Sequence, residues 1–139
     1  MAATVSDVMT SNPETIEADE PVGEAARRMR DADTGDVIVL DNGRVVGILT
    51  DRDIAVRVVA EDLDSSTPVR QACSADDLQT VSPDTSLAQA VQLMRTHAVR
   101  RLPVVDNDRA VGVLSLGDLA MELDEDSALA DISAAEPNN

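Results

Sequence analysis

Two pairs of side chains in this sequence combine a hydroxyl with a carboxylate three residues later. The pairs are Thr50 with Asp53 and Ser115 with Asp118, and each follows an apolar run. This spacing before a helix is typical of a capping box, in which both side chains satisfy free backbone amides. The same groups could also bind a ligand, because a helix N-terminus attracts phosphate and a carboxylate can accept hydrogen bonds from a ribose diol. The pattern alone leaves both interpretations open.

Both pairs belong to a stretch that occurs twice. Residues 41–55, DNGRVVGILTDRDIA, match residues 106–120, DNDRAVGVLSLGDLA, at eight of fifteen positions with an offset of 65. Over residues 15–55 and 80–120 the two copies share 14 of 41 positions. The chain therefore contains an internal duplication. Because a unit of roughly 60 residues buries too little surface to be stable alone, we expect the halves to pack together with pseudo-two-fold symmetry.

Each copy predicts the order strand, helix, strand, strand, helix, which is an α+β fold. Residues 15–17 and 80–82 are candidate first strands. A helix is predicted over 21–30 from apolar residues at helical spacing, and its partner in the second copy begins near Leu87. Asp19 and Asp84 are the candidate caps, with Pro21 in the first helical turn.

A hairpin should follow in each copy. Apolar, β-rich runs at 37–40 and 102–105 predict buried strands, and Asn42-Gly43 is a strong signal for a tight turn. Asn107-Asp108 repeats that signal more weakly. The return strands are predicted at 45–49 and 110–114, followed by helices at 54–61 and 119–123.

The composition limits the classes of partner. The formal net charge is -16, all eleven basic residues are Arg, and the sequence has no Phe, Tyr or Trp. Such an acidic surface argues against a nucleic-acid binder, since phosphate backbones are bound by basic surfaces. It favours a halophilic protein, because at roughly 1 M salt the Debye length is about 3 Å and self-repulsion is screened. An acidic protein from an ordinary environment is the alternative.

We expect no catalysis and no membrane insertion. His97 is the only histidine, Cys73 is the only cysteine, and no nucleophile, metal or phosphate-loop motif occurs. Cys73 takes the place of Met9 in the repeat, which favours a role in the core. No apolar run is long enough to span a membrane and no signal peptide is evident, so the sequence predicts a cytoplasmic protein.

The duplicated unit resembles a tandem pair of CBS domains, a Bateman module, and in composition the haloarchaeal members of that family. The resemblance covers Val5 to about Leu123 and is carried by VSDVMT, TIEADEPVGEAARRMR, VVGILTDRDIA, TVSPDTSLAQAVQLMRTHAVRRLPVVD and GVLSLGDLA. It implies two CBS repeats, at 1–64 with a lead-in and linker helix and at 65–123, followed by an acidic flexible tail at 124–139.

The resemblance also implies a function and a site. Such modules sense adenosine-containing ligands, AMP, ADP, ATP or S-adenosylmethionine, in clefts between the repeats, and they often dimerise. Asp53 and Asp118 would bind ribose, with Thr50 and Ser115 near ribose or phosphate. Thr15 and Thr80 would contact the base or the sugar. The walls around adenine would be formed by Val37, Ile38, Leu102 and Pro103, and the phosphate contacts by Arg100 and Arg101.

The first copy departs from the family pattern. Ile38 replaces the usual proline, and Gly35 and Asp36 replace the arginine pair at 100–101, a difference of three charges. We therefore expect unequal clefts, only one of which binds phosphate. The alternative for the arginine pair is ion pairing with nearby acids.

We expect no obligatory cofactor, a homodimer, and an effector protein supplied in trans, with an adenine nucleotide or S-adenosylmethionine as regulatory ligand. The alternative function is that of a degenerate CBS pair, which dimerises or acts as a scaffold without binding nucleotide.

Overall fold

A computed structural model of the chain describes residues 4–75 and 78–123. A short 3-10 turn at Val5–Asp7 opens the chain. The strands are β1 Thr10–Ser11, β2 Thr15–Glu17, β3 Asp36–Asp41, β4 Arg44–Thr50, β5 Arg101–Asp106 and β6 Arg109–Ser115. The helices are α1 Val22–Ala32, α2 Asp51–Ile54, α3 Val69–Ala72, α4 Leu87–His97 and α5 Leu116–Leu123. A π-helical turn at Ala55–Val59 continues α2. The predicted mixed fold is confirmed, and the tail predicted at 124–139 lies outside the described residues.

The first repeat forms a three-stranded sheet in the order β2-β3-β4. β2 is parallel to β3, and β3 is antiparallel to β4. The hairpin turn has positive φ at both Asn42 and Gly43, 53° and 84°, as a two-residue primed turn requires. The strong turn signal in the sequence therefore places the β3–β4 hairpin correctly.

One face of this sheet carries the core of the first repeat. Alternation along the strands points Ile16, Val37, Val39 and Leu49 to the same side, where helices cover them. The helical residues that complete the cluster are Val22, Ala25, Met29, Val58, Val69 and Ala72. Arg28 ties α1 to β2, because its guanidinium donates to the Thr15 carbonyl and pairs with Glu20 and Glu24.

The second repeat lacks the predicted first strand. Residues 80–82 form only an isolated parallel bridge, Val81 with Val104, so the prediction of a strand there is wrong. The sheet order is instead β1-β6-β5. β1, from the start of the chain, pairs antiparallel with β6 and aligns Thr10 with Val113 and Ser11 with Gly112.

The segment that leads into the second repeat, α3 and the residues directly after it, makes the corresponding contact with the first repeat. Ser74 bridges Ile48 in β4, through backbone hydrogen bonds of 3.0 and 3.2 Å. The described chain divides into two compact units. The first unit consists of residues 4–11, 79–104 and 112–123, and the second of residues 12–75, 78 and 105–111. Each lead-in thus belongs to the unit built on the other repeat's strands.

The helix caps differ from those predicted. The N-cap residues are Pro21 for α1 and Ser86 for α4, so Asp19 and Asp84 are not the caps. Ser86 Oγ accepts from Gln89 N at 3.1 Å in a capping box, which gives α4 the cap that α1 lacks. Asp19 instead pairs with Arg70 at 2.7 Å. The helices that follow the hairpins begin earlier than predicted, at Asp51 and Leu116.

A substitution at the end of α4 should stabilise the protein. Ala98 ends that helix with φ 53° and ψ 43°, a left-handed conformation that costs a residue with a Cβ about 1 kcal/mol relative to Gly. We expect Ala98→Gly to raise the free energy of unfolding by about that amount in urea denaturation. The control is Ala26→Gly on the exposed face of α1, which should lower it by about 1 kcal/mol. Destabilisation by Ala98→Gly would contradict the left-handed cap.

Candidate functional site

The first corner, residues 35–36 and 50–53, lies where β4 passes into α2. Thr50 Oγ1 accepts from Asp53 N at 3.1 Å, and Asp53 Oδ2 accepts from Thr50 N at 2.9 Å. These two hydrogen bonds form a capping box, as the spacing predicts. Asp53 is buried, with only 9% of its surface exposed, so its carboxylate is fixed in orientation.

The second corner, residues 100–101 and 115–118, lies where β6 passes into α5. Ser115 Oγ accepts from Asp118 N at 3.0 Å, and Asp118 Oδ2 accepts from Ser115 N at 3.2 Å. Asp118 is half-buried and therefore more accessible than Asp53. Among the described atoms, Asp118 Oδ1 accepts no hydrogen bond, which leaves it available to a ligand.

A backbone hydrogen bond closes each corner and brings the remaining residues to it. Asp51 N donates to the Gly35 carbonyl at 3.0 Å, and Leu116 N donates to the Arg100 carbonyl at 2.8 Å. In the first repeat Asp36 lies directly opposite Thr50 in the β3–β4 register. The structure therefore places residues 35–36 and 100–101 beside the hydroxyl–carboxylate pairs.

The two corners differ in charge. The first corner has Asp36 opposite the hydroxyl and Asp51 at the first position of α2, whereas the second has Arg101 and Leu116 at the matching places. Arg100 is exposed and Arg101 is half-buried. Two acids beside a helix N-terminus repel an anion, while two guanidinium groups attract one. The second corner is therefore the more positively charged of the two.

Sequence reasoning missed Arg57, which distinguishes the corners further. Its Nε lies 3.9 Å from Oδ1 of Asp53, the carboxylate oxygen that the capping box does not use. Arg57 also donates to the Cys73 carbonyl at 3.3 Å, and Glu122 takes its place in the second repeat. The i, i+4 spacing of Asp53 and Arg57 could have predicted this pair, since such residues are neighbours on a helix. A ribose at Asp53 would have to compete with Arg57.

The predicted adenine walls divide between the two faces of each sheet. Val37 belongs to the hydrophobic core with Ile16 and Leu49, so the structure does not bring it together with Thr15 and Thr50. Ile38 aligns with Thr15 and lies on the face opposite the core.

The same division occurs along β5. Leu102 and Val104 point to one face and Pro103 to the other, and all three are fully buried. Thr80 is exposed. Because side chains alternate between the faces of a strand, Pro103 rather than Leu102 lies on the face that corresponds to that of Ile38 in the first repeat.

Other chemistry has little support in the described residues. Cys73 is buried, and that burial raises the pKa of its thiol, which disfavours the nucleophilic thiolate. No group of three His, Cys, Asp or Glu side chains in 4–75 and 78–123 is arranged to hold a metal ion. Within the same ranges, no helix is both long and apolar enough to cross a membrane.

Comparison with known proteins assigns the family. The CBS domain pattern matches residues 5–60 and again 69–125, which is most of the chain. The chain belongs to the CBS-domain family. This CBS pair is 41% identical over 119 residues to the CBS domain-containing protein YhcV of Bacillus subtilis, covering 86% of the chain and 84% of the relative.

Solved structures support the same assignment. The CBS pair matches Hypoxic Response Protein I, a protein solved with two coordinated zinc ions, at a TM-score of 0.74 and 31% identity, covering 84% and 96% of the two chains. The CBS domain pair of protein MJ0100 has a TM-score of 0.80 at 22% identity, covering 91% and 100%, and shows the fold alone.

Proposed function

We propose that this CBS pair is a regulatory module that senses an adenosine-containing ligand, AMP, ADP, ATP or S-adenosylmethionine, mainly at the second corner. Occupancy would alter the activity of an effector protein supplied in trans. The observation that carries the proposal is the charge difference between the corners, Arg100 and Arg101 against Gly35 and Asp36. The MJ0100 pair, which has the same fold, was solved with 5′-methylthioadenosine and S-adenosyl-L-methionine, and this supports the ligand class.

The geometry of the second corner suits a nucleoside. Asp118 keeps one oxygen in the capping box and offers Oδ1 to the ribose hydroxyls. Ser115 and the first amides of α5 lie beside it, and Arg101 begins the neighbouring strand. We infer that Asp118 binds the ribose while Arg100 and Arg101 attract a phosphate or carboxylate group. The first corner is the weaker site, since Arg57 approaches the free oxygen of Asp53.

The first test is to identify the ligand. The protein should be purified in molar salt, because its net charge of -16 is poorly screened in dilute buffer, and any released compound analysed by mass spectrometry. Addition of the ligand at 100 times its Kd should stabilise the protein by about 2.7 kcal/mol in thermal unfolding. No released compound and no shift with adenine or guanine nucleotides or S-adenosylmethionine would favour the degenerate scaffold. The occupied capping boxes at both corners support that alternative.

Removal of one guanidinium should separate phosphate binding from nucleoside binding. We expect Arg101→Ala to weaken AMP binding about tenfold or more in titration calorimetry, because a charge-assisted hydrogen bond contributes about 1.5 to 3 kcal/mol. Binding of adenosine, which has no phosphate, should change little. Arg109→Ala, which removes the same charge from the exposed start of β6, is the control. Equal loss for AMP and adenosine, or no loss for either, would exclude Arg101 as the phosphate contact.

A homodimer remains part of the proposal. In the first repeat, Val56 and Val59 on the π-helical turn are 45% and 66% exposed, and Leu63 nearby is 44% exposed. Exposed apolar residues close together on one segment are typical of an interaction surface. Sedimentation of the protein with Val59→Asp would test this, since a buried carboxylate at an interface should produce a monomer.

A further inference from the structure

A groove between the end of α4 and the start of α5 adjoins the second corner and shares Arg100 and Leu116 with it. It has a volume of about 420 Å³. Leu116 in its wall is 47% exposed although it is a large apolar residue. The residues that line this α4–α5 groove are Val91, Met94, Arg95, Ala98, Val99, Arg100 and Leu116. The groove is thus apolar with two guanidinium groups.

These two cations are among the four arginines, with Arg52 and Arg109, that have no ion pair within the described residues. Within residues 4–75 and 78–123, Arg95 and Arg100 form no ion pair, although acids outnumber bases by 27 to 11. By contrast, six arginines are ion-paired: Arg27, Arg28, Arg30, Arg44, Arg57 and Arg70. The groove therefore presents positive charge that the described part of the fold does not neutralise.

The first repeat has no equivalent of this surface. At the positions of Ala98, Arg100 and Leu116 it carries Asp33, Gly35 and Asp51. Arg30, which matches Arg95, is paired with Asp31 at 2.8 Å. An apolar, basic groove is therefore a property of the second repeat and not a by-product of the CBS fold.

We propose that the α4–α5 groove is the docking site of the chain's own C-terminal segment, residues 124–139. This segment has five acids and no basic residue, which complements Arg95 and Arg100. Leu129 and Ile132 are its large apolar side chains, and they follow the acidic run DED at 124–126. Acidic residues would lie beside the two arginines while Leu129 and Ile132 cover Leu116 and Val99.

The segment is long enough to reach the groove. Leu116 and Leu123 are separated by about 10 Å along α5, at 1.5 Å per residue. The five residues 124–128 span up to about 16 Å when extended, so Leu129 can return to the level of Leu116. A segment tethered this closely has an effective concentration in the millimolar range, which favours it over a free peptide of the same composition.

Limited proteolysis of the full chain, without nucleotide, tests this docking. A protease that cleaves after alanine should cut at Ala128 and Ala130, and mass spectrometry gives the rate at each bond. If the segment is docked, Arg95→Ser should speed this cleavage by about fivefold or more, because cleavage follows the undocked population. The double variant Leu129→Ser with Ile132→Ser should do the same without touching the described fold, once each rate is divided by that of a free peptide of residues 124–139 with the same changes.

Two matched variants provide controls. Arg30→Ser removes the corresponding arginine of the first repeat, and Ala134→Ser changes the segment outside its apolar pair, so neither should change the rate. Unchanged cleavage in both Arg95→Ser and the double variant would overturn the proposal. Protection that grows with protein concentration would also overturn it, because the occupant would then be a second copy. Since no nucleotide is present, neither result tests the proposed ligand-sensing function.

Discussion

Asp118→Asn should weaken AMP binding by about tenfold to a hundredfold. The carboxylate has one oxygen in the capping box with Ser115 N and a second oxygen free for the ribose. An asparagine oxygen can keep the capping hydrogen bond, but its amide can no longer act as a second acceptor for the diol. Hydrogen bonds to charged groups contribute about 1.5 to 3 kcal/mol, which corresponds to the expected loss in affinity. Titration calorimetry in molar salt is the measurement.

A ligand that lacks one ribose hydroxyl provides the control. Binding of 2′-deoxyadenosine monophosphate should respond less to Asp118→Asn than binding of AMP, because one hydroxyl partner is already missing. Asp53→Asn in the first corner should have a smaller effect than Asp118→Asn, since Arg57 lies 3.9 Å from the free oxygen of Asp53. If Asp53→Asn causes the larger loss, the first corner is the main site and the assignment of the corners is wrong.

Gly112→Ala should lower the free energy of unfolding by about 1 to 3 kcal/mol. A Cβ at this position would lie 2.6 Å from Sδ of Met9 and 2.9 Å from the Thr10 carbonyl oxygen. The Met9 side chain can move aside, but the carbonyl belongs to β1, which is paired with β6 at this point. The substitution therefore has to displace the strand through which the N-terminal lead-in joins the second repeat's sheet. Urea unfolding at fixed high salt measures the effect.

The same position in the first repeat provides a parallel test. A Cβ on Gly47 would lie 2.9 Å from the Ser74 carbonyl oxygen, so Gly47→Ala should destabilise by a similar amount. Gly117→Ala is the control, because among the described atoms its Cβ would come within 4 Å of Ser115 Oγ alone, at 3.7 Å. That change should be neutral or stabilising in helix α5. If all three variants had the same free energy of unfolding as the wild type, neither lead-in would pack as closely as described.

Sequence reasoning predicts correctly those parts of the fold that depend on local chemistry. Asn42-Gly43 specified a hairpin turn because both residues tolerate positive φ. The spacing of Thr50 with Asp53, and of Ser115 with Asp118, specified capping boxes because those side chains reach only the nearest free amides. The constant offset of 65 between the copies gave the duplication, and with it the family.

The pairing of segments that are distant in the sequence depends on tertiary packing. No local sequence pattern predicts that β1 pairs with β6, because the register of a two-residue strand is defined only by the sheet edge with which it pairs. Residues 80–82 repeat a strand sequence, yet they make only the Val81 bridge. The opposite faces of Val37 and Ile38, and the groove that exposes Leu116 beside Arg95, likewise depend on which elements pack against each other. Local sequence sets turns and caps, whereas burial is a property of the whole packed chain.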